Sequence, residues 1–300
     1  MSDAGALGGG IIRERLSVTK TWWWAVTALM LGAGSWGVLW YPLRAFARAG
    51  LSGVWLAVMM FAGAALMGLL LCRIRGGCAR PSRVWIALAV LGGITNIGFV
   101  VAVLHDDILR VTLLFYLSPV WSVLLARLFL REHLTKVVVV GVGTAVLGAF
   151  VLLWRHAGLA LNGFDGLALG SGVSFAGANV LLRAHPDLSL ESKVIATFGG
   201  VVLVGLLVLA VMGTTWPPVA MSLALSAVFW GGLCIFVITM LVQYGVTALP
   251  VRQSAVILLI EVLTAAFSQH LFLHQSLGPQ AILGAVVIGI GAVLVGMYAP

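Results

Sequence analysis

The sequence predicts an all-α polytopic membrane protein of ten transmembrane helices, built as two inverted five-helix repeats with both termini cytoplasmic. Three observations predict it. Hydrophobic residues make up 62% of the 300, charged residues only 9%, and mean hydropathy is +1.14. The apolar residues fall in runs of about twenty, the length a helix needs to cross a bilayer. The two halves also share motifs at nearly constant offsets.

A soluble domain is about a quarter charged, because its surface must be wetted. This chain has too little charge to coat a globule, so most of its surface faces lipid. The net charge of +8 does not point to nucleic acid. Its basic residues sit in short clusters between apolar runs, the pattern of cytoplasmic membrane loops. Cys72, Cys78 and Cys234 form no CxxC pair and no even framework, and are read as free thiols.

Residues 1–20 are Gly-rich and polar, with Arg13, Arg15 and Lys20, and read as a cytoplasmic segment. Ala45-Phe46-Ala47 mimics a signal-peptidase site. The preceding apolar stretch, Trp22 to Tyr41, exceeds the 7–15 residues of a signal core and reads as a retained helix. The ten expected spans are 22–41, 52–72, 84–104, 109–129, 136–154, 164–183, 194–212, 221–245, 253–273 and 277–297. With the N-terminus inside, 13 Lys and Arg lie on cytoplasmic segments and four (Arg44, Arg48, Arg110, Arg155) outside. That bias follows the positive-inside rule.

Phe129 to Thr135 reads FLREHLT, and 143 residues later Phe272 to Gly278 reads FLHQSLG. The same offset takes Gly141 to Gly284 and Gly148 to Gly291. An offset of 139 takes Ser35-Trp36-Gly37 to Ser174-Phe175-Ala176, and Arg44 to Arg183. The repeats therefore span 21–157 and 158–300. Five helices per repeat is odd, so the second repeat must be inverted. Inverted repeats characterise secondary transporters, which hold substrate near the midplane between their halves.

Ser35-Trp36-Gly37, Leu117-Ser118-Pro119-Val120, Leu130-x-Glu132-x-Leu134-Thr135 and Glu261 stand in an order and spacing that resemble the drug/metabolite transporter superfamily. The likeness covers residues 20–298 and takes its ten-helix form, similar to the aromatic amino-acid exporter branch. The chain departs from the family pattern at Val262, where a Glu-Pro pair is expected, and at Gln275, where a Glu is expected. The resemblance implies a cavity lined by helices 1, 3, 4, 6, 8 and 9 and buttressed by 5 and 10. It also implies export of small metabolites such as amino acids across a bacterial-type inner membrane. Hydrophobic cations and other drugs are the alternative cargo. The expected partners are a small-molecule substrate and the lipid bilayer, with no cofactor, metal or nucleic acid.

Glu261 is the only acidic residue well inside a span. A charge at mid-bilayer costs roughly 2.5–3.5 kcal/mol, so it requires a cavity or a partner. Ser254, Thr264 and Ser268 share its helical face. It reads either as a cavity acid that meets an amine or a proton, or as a protonated Glu bonded to a neighbouring helix. Helix 4 offers Phe115 and Tyr116, with Pro119 as a kink; helix 3 offers Asn96 and Phe99. Helix 1 offers Ser35 and Trp36, helix 6 Ser174 and Phe175, and helix 8 Trp230. Trp22, Trp23 and Trp24 read as an interfacial belt. Gly141, Ala145, Gly148, Ala285, Gly289, Ala292 and Gly296 read as close-packing positions.

His270 and His274 are spaced i, i+4, but Leu271 stands where a zinc protease motif needs Glu. The rival from another class is an intramembrane hydrolase. Gly172-Val173-Ser174-Phe175-Ala176 approaches the serine-hydrolase elbow, and His105 adjoins Asp106 and Asp107. That elbow needs a strand-to-helix turn, whereas Ser174 lies inside an expected helix, so no catalytic residue is assigned. A channel would need an acidic ring or a filter loop, and neither is present.

Overall fold

The computed structural model describes residues 4–76, 81–106, 108–153, 162–273 and 278–297. Every regular element among them is helical. Lipid offers no water to backbone groups, so a chain this apolar satisfies them within helices. The first span joins α1 (Ala4–Val38) to α2 (Trp40–Arg48) through a turn at Leu39. Helix thus begins at Ala4, well before the first long apolar run, inside the segment expected to be merely polar. The chain then rises and falls through α3 (Gly53–Ile74) and α4 (Arg83–His105). The fourth span is broken into α5 (Ile108–Phe115) and α6 (Ser118–Leu125), closed by a π-turn over Ala126–Leu130. A left-handed Arg131 ends it.

After α7 (Lys136–Leu153), the second half runs α8 (Gly163–Ala184), α9 (Leu190–Val211), α10 (Met221–Ser226) and α11 (Gly232–Ala248). A second π-turn, Ala227–Gly231, joins the last two. The ninth expected span is broken like the fourth, into α12 (Val251–Ile257) and α13 (Ile260–Leu273), and α14 (Pro279–Met297) ends the described chain. Eight stretches are long and apolar enough to cross a membrane; α7 and α14 are apolar but shorter over their described side chains.

The packing pairs exchange partners between the halves. α1 lies against α11 as α4 lies against α8, and α1 against α13 as α6 against α8. Likewise α3 meets α11 as α4 meets α9, while α3 pairs with α9 and α7 with α14. In lipid no hydrophobic force drives helices together, so close approach depends on small residues. At the α7–α14 contact, a Cβ on Gly148 would lie 2.5 Å from Ile288 N, and one on Gly291 2.5 Å from Ala145 N. Gly289, expected in this contact, instead faces open space. Gly284 and Gly291 supply the close face, because α14 turns that stripe toward α7.

Polar ties brace both ends of the bundle, within the second half and between the halves. On the end rich in Arg, here the basic face, Arg75 of α3 pairs with Glu191 of α9. Lys193, counted as a loop charge from sequence, is 1% exposed and donates to Leu182 O at 3.2 Å and Thr247 Oγ1 at 3.1 Å. Arg183 donates to the α11 end carbonyls of Thr247 and Ala248 at 2.9 and 3.3 Å, as cations do at helix C-termini. On the opposite face, Asn162 and Asp165 form a capping box on α8, and Asn162 also donates to Asp106 at 2.6 Å. Cys72 is disulfide-bonded, against the expectation of a free thiol, while Cys234 is free and exposed. Cys78, like Asp107, Arg155 and His274, lies outside the described residues.

Candidate functional site

The site is built where the fourth and ninth spans break. In the fourth, Leu117 N bonds Leu114 O and Val120 N bonds Leu117 O, tight i to i−3 links in place of the α pattern. In the ninth, Leu259 N bonds Val256 O, Glu261 N bonds Leu258 O and Val262 N bonds Leu259 O. The repeat offset of 143 carries Tyr116 to Leu259, so the two breaks are in register. Pro119, at the start of α6, accounts for the first. Nothing in the local sequence replaces proline in the second.

Between the breaks, Tyr116 and Glu261 line one cavity, where hydroxyl and carboxyl interact. A hydroxyl partner on a neighbouring helix and a half-buried place at the cavity wall answer the cost of an acid inside a span. Phe115 is the hub of a ring cluster, with centroids 5.1 Å from Phe99, 5.8 Å from Tyr116 and 5.5 Å from Phe175. Ser118 and Ser122 are 3% and 2% exposed along the same wall. The cavity these residues line with Leu258 and Leu259 is small, about 10 Å³, the room of roughly one water. In this conformation the cavity is closed to anything larger than water.

The rest of the Glu261 stripe faces protein. Thr264 bonds the carbonyls of Ile260 and Glu261, and Ser254 that of Val251. Ser268 bonds Ala265 O and receives Trp40 Nε1 at 2.9 Å. Gly37 lets α1 press on α13 there: a Cβ at that position would overlap Thr264 Oγ1 and Glu261 O.

The sequence profile of the EamA-like transporter family matches residues 23–154 and again 164–297, once per half. The chain belongs to the EamA-like transporter family. It is thus a two-repeat member of the drug/metabolite transporter superfamily and a multi-pass membrane transporter. A crystal structure of another protein superposes with a TM-score of 0.77 at 18% identity, over 92% of this chain and 99% of that one, which shows the fold. No curated protein matches the chain.

Of the residues the sequence singled out in this EamA chain, the structure gathers Phe99, Phe115, Tyr116, Phe175 and Glu261 into one cluster. Ser174 is buried within a continuous α8. Trp36 packs between two apolar core clusters, and Asn96 spends its amide on Gly92 O at 2.9 Å. Two of the residues lie apart from that cluster. Trp230 is 62% exposed and packs edge-on against Phe229, outside the cavity lining. Ser35 is also exposed. The approach of Tyr116 to Glu261 is not legible in the sequence, where helices 4 and 9 each offer one of the two residues without a sign that they meet. His105 stacks on Phe164 at 4.8 Å, and the described residues hold no group of three metal-ligating side chains.

Proposed function

We propose that this EamA-family transporter exports amino acids, or similar amine-bearing metabolites with apolar or aromatic side chains, by alternating access. The observation that carries the reading is the Tyr116–Glu261 pair set between two in-register helix breaks and beside the Phe115 ring cluster. Broken helices expose backbone groups at membrane depth, which is tolerated only where they line a site. A carboxylate there meets an ammonium group, and aromatic faces meet the side chain or the cation itself. The exchange of packing partners between halves supports two inverted five-helix repeats, ten spans in all. The 13-to-4 basic bias supports cytoplasmic termini in a bacterial-type inner membrane.

Cargo moves when the cavity, closed to about 10 Å³ here, opens first to one face and then to the other. Glu261 changes partner in that cycle, between the Tyr116 hydroxyl and the cargo amine. The test is uptake of a panel of labelled amino acids into liposomes carrying the reconstituted protein, with and without a proton gradient. Saturable flux of an apolar or aromatic amino acid supports the reading. Flux of a hydrophobic cation with no amino-acid flux would replace it by the drug-export alternative, which the same rings and carboxylate also suit.

A further inference from the structure

Glu132 sits in the motif that follows the fourth span, and neither the cavity nor the cargo chemistry uses it. Its Oε1 accepts a hydrogen bond from the backbone N–H of Val251, at 3.0 Å and 119 residues away in sequence. Val251 opens α12, and its N-cap is Pro250, whose side chain caps nothing. The Val251 amide is therefore one of the donors that a helix N-terminus leaves without an internal partner. A carboxylate satisfies it and meets the positive end of the helix dipole. One half of the chain thus caps the ninth span in the other half, at the basic face.

Two further atoms at this junction are unsatisfied. Oε2 of Glu132 and Nε of Arg252 are both buried without a hydrogen-bond partner. They carry opposite charge, and Arg252 is the residue next to the capped amide. Leaving a buried charged group without a partner is costly, whereas exchanging one charge-assisted hydrogen bond for another is not. The carboxylate therefore has a second acceptable partner one residue away. Ala255 and Leu258, four and seven residues beyond Val251, line the cavity. A shift of the α12 start moves that wall.

We propose that Glu132 is the latch of the basic face: it closes the face by capping α12, and opens it by passing its carboxylate from the Val251 amide to the Arg252 guanidinium. The latch rests on the alternating-access reading and names the residue that governs one of its two gates.

The test places a single cysteine at Ala255, in a chain whose three native cysteines are replaced by alanine, reconstituted in vesicles of known orientation. A membrane-impermeant thiol reagent is applied from each face in turn. Glu132→Ala should speed labelling from the basic face by roughly ten-fold, the scale of losing one helix cap, without speeding it from the other face. Arg252→Gln removes the second partner and should slow labelling from the basic face. Unchanged basic-face labelling in Glu132→Ala would overturn the latch, and unchanged labelling in Arg252→Gln would overturn the exchange. If the cysteine-replaced chain fails to fold, amide hydrogen exchange over 251–254 in the otherwise native chain decides. There Glu132→Gln, which keeps an acceptor oxygen, should fall between wild type and Glu132→Ala, and equal protection in all three overturns the proposal. Labelling needs no cargo, so a shifted gate with no flux in the amino-acid panel would leave the latch standing and remove the cargo assignment.

Discussion

Arg110 grips Asp165 through two parallel hydrogen bonds, Nε to Oδ1 at 2.6 Å and Nη2 to Oδ2 at 2.5 Å, across the junction of the two halves. Their side chains are 15% and 2% exposed, so the pair is shielded from screening. The same Asp165 completes the capping box at the start of α8. Removing one partner leaves the other charge without its hydrogen bonds and opens the capping box as well. Asp165→Ala should therefore lower thermal stability in detergent. Arg110→Ala combined with Asp165→Ala should cost less than the sum of the two single variants. Strict additivity would mean that the two side chains do not interact.

Glu261→Gln keeps the shape of the side chain and an acceptor for the Tyr116 hydroxyl, so the variant should insert and fold normally. It removes the one carboxyl group among the residues that line the cavity. Any dependence of flux on pH should be lost or altered, while binding of cargo is retained. Glu261→Ala, which also leaves Tyr116 without its acceptor, should cost more. Liposome flux against pH decides, and superimposable wild-type and Glu261→Gln profiles would make Glu261 structural.

Phe115 touches three rings at once, and each aromatic contact is worth about 0.5–1.5 kcal/mol beyond its area. Phe115→Leu keeps an apolar wall but no ring face. It should raise KM for an aromatic amino acid by up to about ten-fold and leave an aliphatic one nearly unchanged. Equal effects on both would show that Phe115 only packs the helices.

The α7–α14 contact separates three glycines that look alike in the sequence. Gly148→Leu or Gly291→Leu would drive a side chain into backbone lying 2.5 Å from the added Cβ. Overpacking of that kind costs about 1–3 kcal/mol or more. Gly289→Leu meets open space and should be tolerated. Melting of the three variants in detergent checks the order, and a Gly289→Leu as unstable as Gly291→Leu would contradict this packing.

Reporter fusions after residue 300 and within the 73–83 segment should both report the cytoplasm, as the 13-to-4 basic bias requires. An outside signal at either position would remove the inverted-repeat arrangement.

The sequence by itself determined that the chain is helical, membrane-embedded and doubled. Lipid as solvent forces long apolar runs into helices, and FLREHLT and FLHQSLG mark the two halves. It also singled out Glu261, because a lone acid within an apolar span demands an explanation. Only the tertiary structure decided which faces turn inward. In water an apolar stripe points to the core, but in a bilayer the lipid-facing side is equally apolar, so periodicity does not separate the two. Trp230 and Phe115 read alike in sequence; packing leaves one exposed and sets the other at the centre of a ring cluster. Long-range polar pairs were hidden for a related reason. The pairings Tyr116–Glu261, Arg110–Asp165 and Glu132–Val251 each join residues more than fifty positions apart. No local propensity encodes such a distance; the halves must first dock, and the docking then selects which polar groups meet.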